Sequence, residues 1–480
     1  MSNNVKNQVK EITNMEDDFA KWYTDVVKKA ELCDYSGVKG FMVIRPYGYA
    51  IWENIMKNVD ARLKAVGVTN VAMPLLIPES LLLKEKEHVE GFAPECAWVT
   101  MGGDNPLEER LAVRPTSETV FCDYWHKVIK SWRDLPDLLC QWNSVVRWEK
   151  ETRPFLRSRE FFWHEGHTIH ATEKESLDFS LLILDIYEDF IQNDLAIPVI
   201  KGKKTEREKF AGAKETYTVE SVMKDGKALQ SGTTHNFGTN FAIPFDIKYS
   251  DKNNNLQYVT ETSWAISSRI IGAIIMVHGD NNGLKLPPHI APIQVMIVPI
   301  KDNDENVLKK ANEIKDVLMK NGIRVDIDLS DKTPGYKFAD CEMRGIPLRI
   351  EIGPKDIEKN SVVFVRRDNG EKSVVGIDDV IDNTKNILEE IQKNMFKEAK
   401  NYLDKHVDTA TTKDELIKKM SEHPRFIKAM YCGDEKCEEA LKEEGGITSR
   451  CIPFNQEKIS DKCVVCGKPA KYEVIWGKSY

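Results

Sequence analysis

The segment of residues 147–170, RWEKETRPFLRSREFFWHEGHTIH, constrains the fold most, because its pattern is that of two strands joined by a loop. Arg147 and Glu149 are two residues apart, so on a strand their side chains lie on the same face. Arg157 precedes Phe161 by four residues. Guanidinium groups of this kind suit a triphosphate, and an aromatic ring suits a nucleobase. The alternative is a solvent-exposed hairpin with surface ion pairs.

Four further segments combine polar side chains with element-like patterns: residues 113–119 (VRPTSET), 163–167 (WHEGH), 230–238 (QSGTTHNFG) and 262–280 (TSWAISSRIIGAIIMVHGD). In the first, Thr116 and Glu118 would present a hydroxyl and a carboxylate together, as a protonated amine requires. In the second, tryptophan, glutamate and the last histidine alternate along one face of a strand. In the fourth, Arg269 opens an apolar run, which is costly unless an anion is its partner. Taken singly, each segment is also compatible with a helix cap, core histidines, a turn or a helix start.

Length and composition predict a multidomain globular chain. It has 480 residues, of which 41% are hydrophobic and 30% charged. It contains no run of eighteen apolar residues, and its first residues lack an apolar signal core, so we expect a cytoplasmic protein without a membrane contact. The net charge of −8 does not exclude RNA binding, because that depends on local basic surfaces rather than on the sum.

Changes in pattern along the chain predict three domains, at residues 1–285, 286–400 and 401–480. A stretch rich in Gly, Asn and Pro after His278 is typical of a linker. Strand, helix and strand patterns follow it, as in a β-α-β unit, and a long amphipathic helix begins near Ile377. Beyond about residue 400 the chain becomes rich in Lys and Glu and then in Cys.

In this order and over this span, the segments resemble the prolyl-tRNA synthetases of the archaeal and eukaryotic type. Arg-x-Glu followed by Arg-x-x-x-Phe is similar to motif 2 of the class II aminoacyl-tRNA synthetases. A long helix, a strand and Pro74 are similar to motif 1, which forms the dimer interface in that class. Three residues depart from the family pattern: His164 stands where glutamine is usual, and Ser158 and Ser267 stand where threonine is common. The serines keep the hydroxyl, and alternation directs His164 away from the pocket face.

The resemblance implies an α/β (α+β) fold with a class II antiparallel-sheet catalytic domain, an α/β anticodon-binding domain and a small C-terminal α/β zinc-binding domain. It also implies a homodimer that attaches L-proline to tRNA(Pro) by way of prolyl-adenylate, using ATP with Mg²⁺. Relatives of the bacterial type carry an editing insertion between motifs 2 and 3. Only residues 170–259 lie there, so we expect no hydrolysis of alanyl-tRNA.

Carried over residue by residue, the resemblance assigns three sets of roles. The proline-binding residues would be Thr116, Glu118, Arg147, Trp163, Glu165, His167, Phe210 and His235. The ATP-binding residues would be Arg147, Glu149, Arg157, Ser158, Phe161, Gln230, Thr233, Ser267 and Arg269, with Arg147 and Arg269 acting in catalysis. The anticodon would be read by Phe338, Arg344, Glu351, Arg366 and Arg367. In the family, the carboxylate of the final tyrosine, here Tyr480, reaches toward the catalytic domain.

The cysteines near the C-terminus have the spacing of a metal site. Cys432 and Cys437, then Cys463 and Cys466, form Cys-x₄-Cys and Cys-x₂-Cys pairs, as in a structural zinc site with four thiolate ligands. Such a site is closed, so we expect no catalytic role for the metal. The alternative is a set of redox thiols, and Cys451 is left over as a buried thiol.

Two other functions remain open at this point. Another synthetase of the same subclass, for threonine, glycine or histidine, would share motif 2, but the Thr116 and Glu118 pair with WHEGH argues against it. A paralogue that binds RNA without catalysis usually lacks a motif arginine. Arg147, Arg157 and Arg269 are all present, which favours an enzyme.

Overall fold

A computed structural model describes residues 11–84, 96–301 and 304–480. The helices of these residues are α1 (Phe19–Lys29), α2 (Pro46–Ala65), α3 (Glu79–Leu82), α4 (Glu118–Val128), α5 (Glu173–Asn193), α6 (Arg269–His278), α7 (Glu305–Lys320), α8 (Pro334–Met343), α9 (Pro354–Glu358), α10 (Val380–Lys405), α11 (Lys413–Glu422) and α12 (Glu435–Gly445). Two 3₁₀ turns occupy Trp132–Asp134 and Ile377–Asp379.

The strands of the same residues are β1 (Cys33–Tyr35), β2 (Met42–Ile44), β3 (Thr69–Asn70), β4 (Leu76–Pro78), β5 (Ala97–Gly102), β6 (Asn105–Val113), β7 (Asp137–Val146), β8 (Glu160–His170), β9 (Ile200–Lys203), β10 (Glu215–Val222), β11 (Ala228–Gly238), β12 (Lys248–Ser250), β13 (Leu256–Tyr258), β14 (Thr260–Ser267), β15 (Val295–Pro299), β16 (Val325–Ile327), β17 (Leu348–Ile352), β18 (Ser361–Arg366), β19 (Lys372–Gly376), β20 (Val407–Thr409), β21 (Phe426–Tyr431), β22 (Thr448–Pro453) and β23 (Tyr472–Gly477).

The part of the chain that we expect to be catalytic is built on an antiparallel sheet, as the resemblance implies. Its central strands pair in the order β9-β10-β11-β14-β8-β7, each antiparallel to its neighbour. Helices α2, α5 and α6 cover one face and bury the apolar core there, with Tyr187 and Trp264 at its centre. The other face is left to α4 and the polar side chains of the strands. This division explains why the polar segments collect on one side of the sheet.

The segment of residues 147–170 forms the loop and the second strand of the predicted pair, β8. The first strand, β7, already ends at Val146, so the prediction that Arg147 and Glu149 lie on a strand is wrong and both residues lie in the loop. Strands β7 and β8 pair from Val146 opposite Glu160 to Asp137 opposite Ile169. The connecting turn closes on itself, since the backbone N–H of Arg153 donates to the carbonyl of Arg157 at 2.7 Å. The alternation of β8 therefore directs one row of side chains to the open face and the other row to the core.

A second sheet of order β16-β15-β17-β18-β19 contains the predicted β-α-β unit. Its first three strands are parallel and the last two antiparallel. Helices α7 and α10 pack on it. Helix α10 runs through residue 400, where we expected a domain boundary, so the second and third units share one continuous helix.

The C-terminal strands extend the catalytic sheet, which the sequence did not indicate. Strand β22 pairs antiparallel with β9, placing Ile452 opposite Lys203. The full sheet runs β20-β21-β23-β22-β9-β10-β11-β14-β8-β7-β3. The cysteine-rich unit is thus joined through backbone hydrogen bonds to the strands that carry the polar segments.

Among the described residues, no helix has the length and apolar character that a bilayer crossing requires.

Candidate active site

A cavity of about 140 Å³ lies on the open face of the catalytic sheet. Most residues predicted to bind proline or ATP line it: Thr116, Glu118, Arg147, Phe161, Trp163, Glu165, His167, Phe210, Gln230, Thr233, His235, Ser267 and Arg269. They come from α4, β8, β11, β14, α6 and the loops beside them. Antiparallel pairing brings these distant segments together, so the site depends on the sheet rather than on any one motif.

The carboxylate of Glu118 lines the cavity. The hydroxyl of Thr116 donates to Oε2 at 2.6 Å, and that of Ser263 donates to Oε1 at 3.3 Å. All three side chains are buried. Two hydroxyls orient the carboxylate without neutralising it, which suits an incoming ammonium group. The sequence reasoning missed Ser263. It lies four residues before Ser267 on β14, so the two side chains share one face of the strand, and this spacing could have identified it.

Glu165 is a structural anchor among the lining residues. Its carboxylate accepts hydrogen bonds from the Ser117 hydroxyl at 2.5 Å, Gln141 at 2.8 Å and Asn143 at 2.9 Å. Nε2 of His167 lies 3.0 Å from its other oxygen. Burial raises the pKa of Glu165, but the His167, Ser117 and Asn143 hydrogen bonds outweigh burial and lower it overall. A carboxylate so fully engaged holds neighbouring strands together, and Ser117, Gln141 and Asn143 were missed by the sequence reasoning.

A second buried carboxyl, Glu261, lies near Glu118. Burial, together with the charge of Glu118, raises the pKa of Glu261 to about 8. The thiol of Cys122 donates to its Oε2 at 3.3 Å. Within the described chain, Oε1 has no hydrogen-bond partner. The raised pKa favours the neutral form of Glu261 at pH 7.

Aromatic side chains form the walls of the cavity. The ring of Phe210 stacks on that of His235 with centroids 4.4 Å apart. Indole Nε1 of Trp163 donates to Asn143 at 2.7 Å, which fixes the plane of that ring. Burial, with the nearby His167 and Arg147, lowers the pKa of His235 to about 3. His235 is thus neutral, and the wall presents rings rather than charge.

The cavity lining also includes two arginines, Arg147 and Arg269. The guanidinium of Arg147 lies 5.6 Å from the ring centre of Phe161 and 5.4 Å from that of Trp163. Arg269, at the first position of α6, donates from Nε to the Leu156 carbonyl at 3.0 Å. Burial and the charges of Arg147 and Arg157 lower the pKa of Arg269 to about 10. Clustered guanidinium groups that repel one another are suited to receive a multiply charged anion.

Three predicted ATP-binding residues lie outside the lining of this cavity. Glu149 and Arg157 form an ion pair with Nε to Oε2 at 2.9 Å, and the Arg157 side chain is 54% exposed. Ser158 is buried against a smaller cavity behind Phe161. The Arg157 charge nevertheless contributes to lowering the pKa of Arg269. The ion pair of Arg157 and Glu149 therefore lies near Arg269.

His164, the departure from the family pattern, faces the core as alternation predicts. Its Nε2 lies 3.1 Å from the Tyr187 hydroxyl on α5, and its Nδ1 lies 3.6 Å from the Cys140 sulfur. Burial lowers the pKa of His164 to about 3, so the ring is neutral. It joins the sheet to α5 and does not contact the cavity.

The residues predicted to read an anticodon are only partly brought together. A cleft of about 470 Å³ is lined by Phe338, Arg366 and Arg367. Arg344 and Glu351 are not among its lining residues. Arg344 stacks instead over Tyr47, with its guanidinium 4.4 Å from the ring centre.

The same cleft contains a residue that the sequence reasoning missed. Arg349 lies 4.2 Å from the Phe338 ring centre and pairs with Glu351 at 2.8 Å. Glu351 therefore does not line the cleft itself but forms an ion pair with Arg349, which does. Arg367 is held from the catalytic side by Asp280, at 2.7 and 2.9 Å. Strand alternation on β17 was the available signal, since Arg349 and Glu351 are two residues apart.

The four C-terminal cysteines converge, as their spacing predicts. Their sulfur atoms lie within 4.8 Å of one another, with Cys432 at 3.8 Å from Cys437 and 3.6 Å from Cys466. A tetrahedral zinc ion with Zn–S bonds of about 2.3 Å has S–S edges of about 3.8 Å. The residues present fit such an ion, whereas a disulfide would require a sulfur separation of about 2.0 Å. Cys451, as expected, is a buried free thiol.

Tyr480 lies against the catalytic part. Its hydroxyl donates to Asp225 at 2.5 Å, and its backbone N–H donates to the Ala228 carbonyl at 3.3 Å. The Arg153 guanidinium of the motif 2 turn is 5.9 Å from the centre of its ring. These contacts join the last residue to the start of β11 and to the turn between β7 and β8.

Comparison with known proteins identifies the family. Residues 98–278 match the tRNA synthetase class II core domain (G, H, P, S and T), residues 294–387 the anticodon binding domain, and residues 413–480 the prolyl-tRNA synthetase C-terminal domain. The proline–tRNA ligases of Ruminiclostridium cellulolyticum and Clostridium novyi are each 60% identical over 475 residues, with 99% of both chains covered. The chain belongs to the prolyl-tRNA synthetases.

A solved structure agrees in fold. The crystal structure of prolyl-tRNA synthetase from Cryptosporidium parvum, complexed with halofuginone and AMPPNP, superposes with a TM-score of 0.93 at 40% identity. It covers 98% of this chain and 99% of that one. The predicted class II fold and the predicted enzyme class, a proline–tRNA ligase, are therefore confirmed.

Proposed function

We propose that the cavity holds L-proline and ATP together, and that its carboxylate and its arginines determine which substrate lies where. The observation that carries this is that the Glu118 carboxylate and the guanidinium groups of Arg147 and Arg269 line one cavity. The secondary ammonium of proline would meet Glu118 and Thr116. Its ring would lie between Trp163 and the stacked pair of Phe210 and His235. These walls are apolar and neutral, as a pyrrolidine ring requires.

ATP would lie against the arginines. Arg147 would bridge the carboxylate of proline and the α-phosphate, and Arg157 would grip the terminal phosphates after releasing Glu149. Glu149 would then be free to accept from the adenine amino group. Phe161 and Arg269 would enclose the adenine by stacking and by a cation–π contact. Ser267, Gln230 and Thr233 would contact the ribose and adenine, and Ser158 would support Phe161 from behind.

The chemistry would follow from alignment and charge neutralisation. A carboxylate oxygen of proline attacks the α-phosphorus, the bond to the bridging oxygen breaks, and pyrophosphate leaves. The tRNA terminal ribose hydroxyl then attacks the carbonyl carbon and releases AMP. Mg²⁺ would assist the first step by neutralising phosphate charge, while the arginines hold the α-phosphate.

We infer that this chain is of the archaeal and eukaryotic type and does not edit. Residues 171–259 form α5 and β9–β13, and β9, β10 and β11 are integral to the catalytic sheet. That leaves little chain for an editing domain.

We also infer a homodimer that forms through motif 1, where Leu75 beside Pro74 is 50% exposed. We infer a cytoplasmic location, with tRNA as the partner. The cleft of Phe338 and Arg349 would read the anticodon by stacking and base-edge hydrogen bonds.

Pyrophosphate exchange with several amino acids tests the assignment of the cavity. With proline, alanine, cysteine and threonine in parallel, we expect exchange with proline and weak exchange with alanine or cysteine. A pocket cannot strongly reject smaller residues, since one methylene contributes only about 1–3 kcal/mol. Alanyl-tRNA should accumulate rather than be hydrolysed. Exchange that is strongest with threonine, or release of alanine from alanyl-tRNA, would contradict the assignment.

We propose that Cys432, Cys437, Cys463 and Cys466 hold a structural Zn²⁺. The ion would supply folding free energy to the C-terminal unit, because four thiolates close its coordination sphere. Cys463→Ser is expected to lower bound zinc from one equivalent to near zero and to lower the unfolding temperature of that unit. Cys33→Ser, at a buried thiol remote from the cluster, is the matched control. Retention of zinc by the Cys463 variant, measured by elemental analysis, would contradict the site.

A further inference from the structure

A segment of residues 204–216, here called the strap, connects the C-terminal unit with the wall of the cavity. At its inner end, the backbone N–H of Phe210 donates to the Thr216 hydroxyl at 2.9 Å. The same hydroxyl lies 3.0 Å from Nδ1 of His235. Because Phe210 also stacks on His235, the strap determines the position and the orientation of both rings.

The outer end of the strap is held by Glu438 of helix α12. The Thr205 hydroxyl donates to Oε2 of Glu438 at 3.0 Å, and the Ser449 hydroxyl donates to the same oxygen at 2.7 Å. Tyr431 donates to Oε1 at 2.8 Å. Glu438 is 3% exposed and Thr205 4%. Hydrogen bonds to a buried carboxylate are stronger than those between neutral groups, so Thr205 has a firm attachment.

Contacts of the neighbouring Lys204 also hold the outer end of the strap in place. The Lys204 ammonium donates to the Arg450 carbonyl at 2.7 Å and pairs with Glu220 at 2.8 Å. The Lys204 backbone N–H donates to the Thr216 carbonyl at 2.8 Å. The chain between Thr205 and Thr216 is therefore closed at its base. A displacement of Thr205 would be transmitted to the loop that carries Phe210.

Glu438 lies on the same helix as one of the four cysteines and contacts the residue that precedes another. It follows Cys437 directly in α12, and its partner Tyr431 directly precedes Cys432. Helix α12 begins at an Asp434 cap between these cysteines. The position of the Glu438 carboxylate is consequently determined by the cysteine cluster at one side and by β22 at the other.

We propose that Glu438, acting through Thr205, is a positioning residue for the proline wall of the active site. This rests on the proposed placement of proline against Phe210. The C-terminal unit then contributes to amino-acid binding although none of its residues lines the cavity. It should affect the affinity for proline and leave ATP binding unchanged, because the described hydrogen bonds of the strap lead to the wall of Phe210 and His235.

The direct test compares Glu438→Gln and Thr205→Val with Glu443→Gln, an exposed glutamate on the same helix. In pyrophosphate exchange, the first two are expected to raise KM for proline about tenfold, the loss expected for a hydrogen bond to a charged group. Their kcat and KM for ATP should stay within about twofold, because the residues proposed to bind ATP are intact. Proline affinity from calorimetry should fall in parallel. Zinc content and unfolding temperature should match those of the control.

A double variant separates positioning from general damage. Because Thr205 and Glu438 act through one contact, the effects of Glu438→Gln and Thr205→Val on KM for proline should not add. Should the Glu438 variant fold poorly, Thr205→Val alone decides, since valine keeps the shape and removes the hydroxyl. Additive effects, or a KM for proline equal to that of the control in either variant, would overturn the proposal.

Phe210→Ala distinguishes failure of this inference from failure of the assigned pocket. A raised KM for proline in Phe210→Ala, together with unchanged values in both strap variants, overturns the role of Glu438 alone. An unchanged KM for proline in Phe210→Ala overturns the placement of proline against this wall, and the inference with it. A raised KM in all three, with kcat unaffected in the strap variants, supports both.

Discussion

Arg269→Ala is expected to lower kcat/KM for proline-dependent pyrophosphate exchange about 10²-fold or more, in the range seen when one preorganised donor to a developing charge is removed. Arg269 is the half-buried cation at the start of α6, and its pKa of about 10 keeps it protonated at neutral pH. Its charge is fixed before the nucleotide arrives, so no reorganisation is needed during the reaction. In the proposed binding mode, its loss removes both a face of the adenine site and a neutralising charge.

The control for this prediction is Arg133→Ala, at an exposed arginine outside the cavity. Arg269→Lys restores the charge but not the planar fork, so it should recover only part of the rate. The unfolding temperature of Arg269→Ala should not fall by much, because the variant also relieves repulsion from Arg147 and Arg157. Exchange within a few-fold of the unsubstituted protein, measured with saturating ATP and with limiting ATP, would show that Arg269 is not part of the nucleotide site.

Glu261→Gln is expected to stabilise the protein increasingly as pH rises. The pKa of Glu261 is raised in the fold from 4.5 to about 8, first by burial. Between these values the folded protein keeps a proton that the unfolded chain has lost. The free energy of unfolding therefore falls with increasing pH, by about 1.4 kcal/mol per pH unit for a single such group. The neutral carboxyl contributes fully below the ordinary pKa, and its contribution is lost as pH rises through about 8.

Glutamine resembles the protonated carboxyl and cannot ionise. At low pH the two proteins should unfold alike, and at pH 8 the variant should be more stable by on the order of 4 kcal/mol. Urea unfolding at several pH values measures this difference, in which other titrating groups cancel. Glu443→Gln, on the surface, should give no trend. A difference that does not change with pH would mean that Glu261 ionises normally in its pocket.

Much of the candidate site could be predicted because its residues alternate within single strands. Trp163, Glu165 and His167 share a face of β8 for the same geometric reason in any antiparallel sheet. The position of Arg269 at the start of an apolar helix and the paired spacing of the cysteines are also local signals. Each is short in range, so its geometry follows from the sequence alone.

The contacts missed by the sequence reasoning join residues far apart in the chain. Ser263 reaches Glu118 across 145 positions, and Thr205 reaches Glu438 across 233. No periodicity carries such information, because it depends on which strands are neighbours. Arg344 lies outside the cleft for the same reason: it packs on the ring of Tyr47, a residue far away in the sequence that belongs to the catalytic part.

The sequence by itself determined the family, the type of elements and the identity of the charged groups that line the cavity. Local spacing specifies which side chains share a face, and the motifs specify the reaction they suit. Only the tertiary structure decided how those groups are charged and held. Glu165 and Glu261 are both glutamates on core strands, yet hydrogen bonds lower the pKa of one while burial raises that of the other. Burial and partners are properties of the packed sheet, and they arise only when distant strands meet.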